Sequence, residues 1–168
     1  GGKTAINSGA GKNLVGTFHQ PRAVFAATGV LATLPMAELR AGMGEVIKYA
    51  LLDGEALARE VGGLGPRILA RDPSVLAEMV GRCAAIKAQI VEQDEQEGGR
   101  RRLLNLGHTV GHAVERASGY GVLRHGEAVS IGLVAAAALS VELGLAEPAL
   151  VPRVRALLEG VGLPVRAP

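Results

Sequence analysis

His108 and His112 stand four residues apart in "RRRLLNLGHTVGHAVE", residues 100–115, a stretch that otherwise reads as an apolar helix. On a wheel of about 100° per residue, Asn105, His108 and His112 fall at about 40°, −20° and 20° from Arg101. Leu103, Leu106, Val110 and Val114 fall on the opposite side, at about 140–220°. One face thus carries Arg, Asn, His and His, and the other is aliphatic. Two imidazoles at i and i+4 can bind a transition metal. The residues between them are Thr109, Val110 and Gly111, so the glutamate of a zinc-protease HExxH helix is missing. Gly107 and Gly111 each weaken a helix by roughly 1 kcal/mol relative to alanine, a cost that makes sense where something approaches the backbone closely. The wheel leaves a solvated face and the wall of a site both open.

Other polar residues stand in unexpected places. Lys87 falls in the apolar stripe of Val80, Cys83 and Ile90, where a lysine either snorkels out or meets a charged ligand. Glu45 and Lys48 are three apart and share a helical face, as an ordinary surface ion pair or part of a site. His125 precedes the Gly126-Glu127 helix start. The opening "GGKTAINSGAGKN" combines two lysines, an asparagine and many glycines, which suits an anion held by backbone N–H groups and ammonium heads. It has neither the order of a Walker loop nor that of a dinucleotide-binding turn. His19 and the serines show no triad partners.

The elements that must position these residues are mostly helices. Residues 1–20 read as loop, and "AVFAAT", 23–28, as a short strand. Thr33 is placed to cap a helix with Pro35 in its first turn, and Leu39, Met43, Ile47 and Ala50 continue it at helical spacing. A short helix is expected over about 55–61, ending in a Gly62–Pro66 loop. Asp72-Pro73 starts another, running to about residue 93. A third long helix is expected over about 101–117. Residues 126–144 are apolar on nearly every face, marking a buried central helix. A last helix starts at Pro148 and stops at Gly160 and Pro164. The fold class is mainly α, a helical bundle with a short loop-and-strand lead-in. The expected boundaries are a lead-in over 1–34 and a helical domain over 35–168.

The bulk numbers narrow the function. The chain has 168 residues, 48% apolar but only 2% aromatic, so its core is aliphatic. Eighteen Lys and Arg against 16 acids leave a net charge of +2, too little to argue for nucleic acid. The arginine run 100–102 follows Glu92, Asp94, Glu95 and Glu97 and reads as a solvated charged turn. One cysteine, Cys83, excludes an internal disulfide and suits a reducing cytoplasm. The most apolar run, Ala128–Leu139, is too short and too rich in Ala and Gly for a membrane span. The chain opens without Met and stops at "GLPVRAP", so a piece of a longer protein is expected.

Taken in order, "GGKTAINSGAGKNLVGTFHQP", "LATLP", "GEVIKYALL", "IKAQIVEQDEQEGGRRRLLNLGHTVGHAVE" and "HGEAVSIGL" resemble the 3-dehydroquinate synthase family over most of residues 1–133. The resemblance implies the helical, metal-binding domain of a two-domain enzyme whose NAD-binding α/β domain precedes residue 1. It implies conversion of 3-deoxy-D-arabino-heptulosonate 7-phosphate to 3-dehydroquinate and phosphate, a lyase step of the shikimate route to aromatic amino acids. The implied cofactors are NAD and a divalent metal, zinc or cobalt. Glu45, His108 and His125 would ligate the metal, and His112 would be catalytic, on the phosphate side. Lys48, Lys87, Arg101, Asn105 and Asn13 would hold substrate, with Lys3 and Lys12 at the nicotinamide–substrate boundary. Val30, Leu31, Ala32 and Thr33 would touch NAD. A cytoplasmic homodimer is expected for the full-length enzyme, without nucleic-acid or membrane partners, and the isolated chain is expected to be inactive. Rival readings are another sugar-phosphate cyclase (2-deoxy-scyllo-inosose or 2-epi-5-epi-valiolone synthase type), a related metal-dependent alcohol dehydrogenase, or a non-enzymatic helical interaction module.

Overall fold

The computed structural model describes residues 2–9, 11–119 and 121–168, apart from the side chains of Asn7, Lys12 and Asn13. Its element order is β1 (Lys3–Ser8), β2 (Gly11–Phe18), a 3₁₀ turn (Thr28–Thr33), α1 (Met36–Asp53), α2 (Glu55–Leu69), α3 (Pro73–Gln93), a second 3₁₀ turn (Arg100–Asn105), α4 (His108–Ser118), α5 (His125–Glu142) and α6 (Leu150–Gly160).

The core is aliphatic, as the composition requires. Met43 and Ile47 from α1, Leu57 and Val61 from α2, Leu76 and Met79 from α3, Val129 and Leu133 from α5 and Val154 and Leu158 from α6 form one buried cluster. The first half of α5 runs through its centre, with Gly126 and Ala128–Val134 buried. Its second half emerges, and Leu139 and Leu143 are exposed, so the helix is central over only part of its expected length. The Ser130 hydroxyl donates to the Pro164 carbonyl at 2.6 Å, tying the C-terminal segment to this helix.

Several sequence expectations need correction. Lys3–Ser8 and Gly11–Phe18 form an antiparallel strand pair where a loop was expected, pairing Lys3 with Phe18 and Ile6 with Val15. Ile6, Leu14, Val15 and Phe18 stay exposed, so no buried face imposed the alternation that announces a strand. Residues 23–27 carry no regular structure, and Thr28 opens the first 3₁₀ turn. Thr33 does not cap α1: its hydroxyl donates to Val30 O within that turn, and Pro35 holds the cap position. The α2 helix runs straight through Gly62–Pro66. A Cβ at Gly62 would lie 2.9 Å from Leu157, and one at Gly65 would lie 2.9 Å from Val161. These glycines let α6 and its C-terminal turn close on α2, and the packing of Leu57, Val61 and Ile68 outweighs the poor local propensity.

The start of α3 follows expectation. The Asp72 carboxylate accepts from the backbone N–H of Ser74 and Val75, with Pro73 at the first helical position. Just before it, Arg71 reaches back to the lead-in, donating to Leu31 O at 3.2 Å and Leu34 O at 2.5 Å.

Candidate metal centre

Three backbone contacts bring three polar residues together, and a glycine adjoins each. Glu45 follows Gly44 on α1, His108 follows Gly107 at the start of α4, and His125 precedes Gly126 at the start of α5. A Cβ at Gly44 would stand 2.4 Å from Gly126 O, and one at Gly126 only 1.8 Å from Ala41 O. A Cβ at Gly132 would be 1.8 Å from Gly107 O. No side chain fits between these helices, so α1 and α4 both lie backbone to backbone against α5. The Arg124 side chain fixes the same corner by donating to Glu38 at 2.7 Å.

The expected continuous helix over 101–117 is broken here. Residues 100–105 make a 3₁₀ turn, Leu106 and Gly107 form a turn, and Gly107 is left-handed at φ +78° before α4 begins. The close approach expected at Gly107 and Gly111 is real, but it comes from the α5 backbone: a Cβ at Gly111 would be 3.1 Å from Ala128 O. The face of Arg101, Asn105, His108 and His112 therefore comes apart. Leu103 and Val110, expected on its apolar back, are exposed. Arg101 is buried rather than solvated. Its backbone N–H donates to Asp94 and its guanidinium to Glu95 O, closing the 94–101 loop. Asn105 is exposed and donates to Glu97 at 3.0 Å.

What remains is a compact cluster. The Oε1 atom of Glu45 lies 3.4 Å from His108 Nε2 and 3.6 Å from His125 Nε2. One donor atom from each of the three residues falls within 4.8 Å of the others. Glu45 Oε1 is buried without a hydrogen-bond partner. Its other oxygen accepts from Lys48 Nζ at 2.5 Å, and Lys48, itself buried, also donates to Leu104 O at 2.9 Å. The Lys48 ammonium lies 5.0 Å from the centre of the Tyr49 ring. Burial pushes the Glu45 carboxyl up, but His108, His125 and Lys48 outweigh it and hold the group well below the usual carboxylate range. Glu45, against burial and with help from Glu115, raises His125. His108 Nδ1 sits 3.2 Å from Leu106 O; the tautomer that donates from Nδ1 to this carbonyl would free the Nε2 lone pair for a cation beside Glu45. One carboxylate oxygen without a partner and two Nε2 atoms around it fit a divalent cation of the zinc type, with room for further ligands.

The other expected site residues are dispersed. His112 is exposed, its ring centre 5.5 Å from that of His108 and 5.8 Å from that of His125. Lys87 points out of the apolar stripe and is exposed, lining a cleft with Arg22 and Glu95. Lys3, on β1, pairs with Glu97. Val30–Thr33 occupy the first 3₁₀ turn, where Val30 is exposed. The side chains of Lys12 and Asn13 lie outside the described residues. Glu115 went unnoticed in the sequence, although Gly107, Gly111 and Glu115 at four-residue spacing mark the α4 face turned to α5. It is buried, with Oε2 3.6 Å from His125 Nδ1.

The fold, with this cluster at its helix crossings, is that of the sugar-phosphate cyclases. It matches a 2-epi-5-epi-valiolone synthase of Streptomyces hygroscopicus, solved with NAD+ and Zn2+ bound, at a TM-score of 0.83 and 30% identity, over 100% of this chain and 47% of that one. It matches a 2-deoxy-scyllo-inosose synthase, solved with carbaglucose-6-phosphate, NAD+ and Co2+, at a TM-score of 0.81 and 30% identity, over 96% of this chain and 44% of that one. The C-terminal part of 3-dehydroquinate synthase matches residues 42–168, and its N-terminal part residues 1–41; the chain belongs to the 3-dehydroquinate synthase family. It is 53% identical to a 3-dehydroquinate synthase of Rhodospirillum rubrum over 98% of its length, and 52% identical to one of Geobacter metallireducens over 100%. It spans 43% and 47% of these two relatives.

Proposed function

We propose that this chain is the metal- and substrate-binding part of a cytoplasmic, homodimeric 3-dehydroquinate synthase. The whole enzyme converts 3-deoxy-D-arabino-heptulosonate 7-phosphate to 3-dehydroquinate and phosphate. Residues 35–168 form its helical domain, and residues 1–34 lead in from an NAD-binding domain. The observation that carries this reading is Glu45 Oε1, buried without a hydrogen bond and facing the Nε2 atoms of two histidines, in a chain about half identical to curated 3-dehydroquinate synthases.

Glu45, His108 and His125 hold the divalent metal, zinc or cobalt. When bound, the metal supplies Lewis acidity toward substrate hydroxyls, and NAD supplies a hydride acceptor that is restored at the end of the cycle. Lys48 keeps Glu45 ionised and oriented. Two of its three N–H groups are engaged by Glu45 and Leu104, which leaves a third for a substrate oxygen. His112, exposed one turn beyond His108, moves protons on the phosphate side. Asn13, Lys87, Arg101 and Asn105 supply cations and amides for the substrate's carboxylate, hydroxyls and phosphate, with Lys3 and Lys12 at the nicotinamide–substrate boundary. Val30–Thr33 contact NAD.

The test is turnover by the full-length protein. It releases phosphate from the heptulosonate 7-phosphate without net NADH. The structural neighbours keep a second reading in play, that of a different sugar-phosphate cyclase. Phosphate release only from a heptulose 7-phosphate lacking the carboxylate would select it, and steady NADH production would select an alcohol dehydrogenase. The 168-residue chain alone releases no phosphate. The two histidines separate: His108→Ala loses the metal, whereas His112→Ala keeps it and loses rate by about 10²–10⁴. Equal metal content in wild type and His108→Ala refutes the ligand assignment.

A further inference from the structure

We propose that Glu115 is a positioning residue for the metal centre, holding the His125 ring so that its Nε2 faces Glu45. This rests on the reading that Glu45, His108 and His125 bind a divalent metal. The two imidazoles are arranged alike. Each turns Nε2 toward the same oxygen, Glu45 Oε1, at 3.4 and 3.6 Å. Each turns Nδ1 toward a fixed oxygen on the other side, Leu106 O at 3.2 Å for His108 and Glu115 Oε2 at 3.6 Å for His125. The first of these anchors is main chain. The second is a side chain, and a substitution can remove it.

The location of Glu115 argues for such a role. It is 7% exposed, in the seam between α4 and α5 where Gly111 brings the two backbones together. A carboxylate is costly to bury unless a charged or hydrogen-bonding group answers it. His125, by contrast, is half exposed and sits on the first residue of its helix, where packing restrains the ring little. A carboxylate on the far ring nitrogen selects the Nδ1–H tautomer, fixes the ring and raises the basicity of Nε2. His112, Glu115 and His125 also bring donor atoms within 4.8 Å of one another. A second cation there would take the Nδ1 lone pair that the first arrangement protonates, so the two uses of His125 exclude each other.

The experiment titrates Co2+ into the metal-stripped full-length protein and follows both affinity and the visible cobalt absorption bands. Wild type binds one Co2+ per chain. Glu115→Gln keeps an acceptor of the same size but loses the charge, and binds about 10-fold more weakly; Glu115→Ala binds about 100-fold more weakly, with altered bands. Circular dichroism of the metal-free proteins checks folding. If Glu115→Ala does not fold, Glu115→Gln decides alone. Wild-type affinity and bands in Glu115→Gln overturn the proposal. So does a second Co2+ per wild-type chain that Glu115→Ala abolishes, because Glu115 is then a ligand. Absence of any Co2+ binding by wild type overturns the underlying metal reading instead.

Discussion

Replacing Gly126 with alanine tests the backbone contact on which the proposed metal centre depends. Close C···O contacts begin at about 3.3 Å, and the new methyl would stand 1.8 Å from Ala41 O, so α1 and α5 must part by about 1.5 Å there. Alanine favours a helix over glycine by about 1 kcal/mol. Overpacking of this kind costs up to about 3 kcal/mol, so a net loss near 2 kcal/mol is expected. The same displacement carries Glu45 on α1 away from His125, 3.6 Å distant. Disturbing the support of a metal ligand costs roughly 10–100-fold in metal affinity. Gly42, on α1 with Glu45, has nothing within 4 Å of its would-be Cβ. Gly42→Ala therefore gains up to about 1 kcal/mol and leaves the metal alone. Urea unfolding of the metal-free full-length proteins, paired with metal titration, measures both effects. Gly126→Ala with wild-type stability and metal affinity refutes the argument, and so does a Gly42→Ala that is as damaging.

Asp72 and Cys83 provide two further checks. The Asp72 carboxyl is held well below its ordinary 3.8 by Ser74, Arg67 and Val75. Its contribution is complete above the unfolded value and fades as pH falls through the lower folded one. Asp72→Ala thus lowers the melting temperature at pH 7, and the gap to wild type narrows only below about pH 4; a gap that instead widens in acid counts against the cap. Burial pushes the Cys83 thiol from 9.0 to about 11. At pH 8 its thiolate fraction is about 100-fold below that of an ordinary thiol, and iodoacetamide alkylation slows accordingly. Alkylation at the free-thiol rate refutes this environment.

Helices whose signals are local could be read directly from the sequence. Asp72-Pro73 marks the start of α3 with a side-chain cap and a fixed φ, and the apolar first half of α5 is buried as its composition requires. The α2 helix was misjudged because its glycines are shaped by α6, more than ninety residues away. The strand pair was missed because its apolar side chains face outward. At the site, Glu45 and Lys48 could be paired from spacing alone. Convergence of Glu45 with His108 and His125 depends on where α1, α4 and α5 cross, and helical periodicity carries no information about that. Arg101 was misread as solvated because the Asp94 and Glu95 groups that enclose it belong to a loop closed by tertiary contacts.

The aliphatic core also has an optical consequence. The chain contains no tryptophan and two tyrosines, so no indole drains or masks tyrosine emission. Tyr49 lies in the core, 9% exposed, beneath the ammonium that holds Glu45 in place. Burial above all, with Glu45 and Cys83 adding to it, pushes its phenol up to about 12, so the ring stays protonated throughout the range in which enzymes are usually assayed. A change of charge at Glu45 reaches this phenol, one of two tyrosines in the chain, with no indole to mask it. Tyr49 is therefore placed to report on charge at the proposed metal centre with no label required.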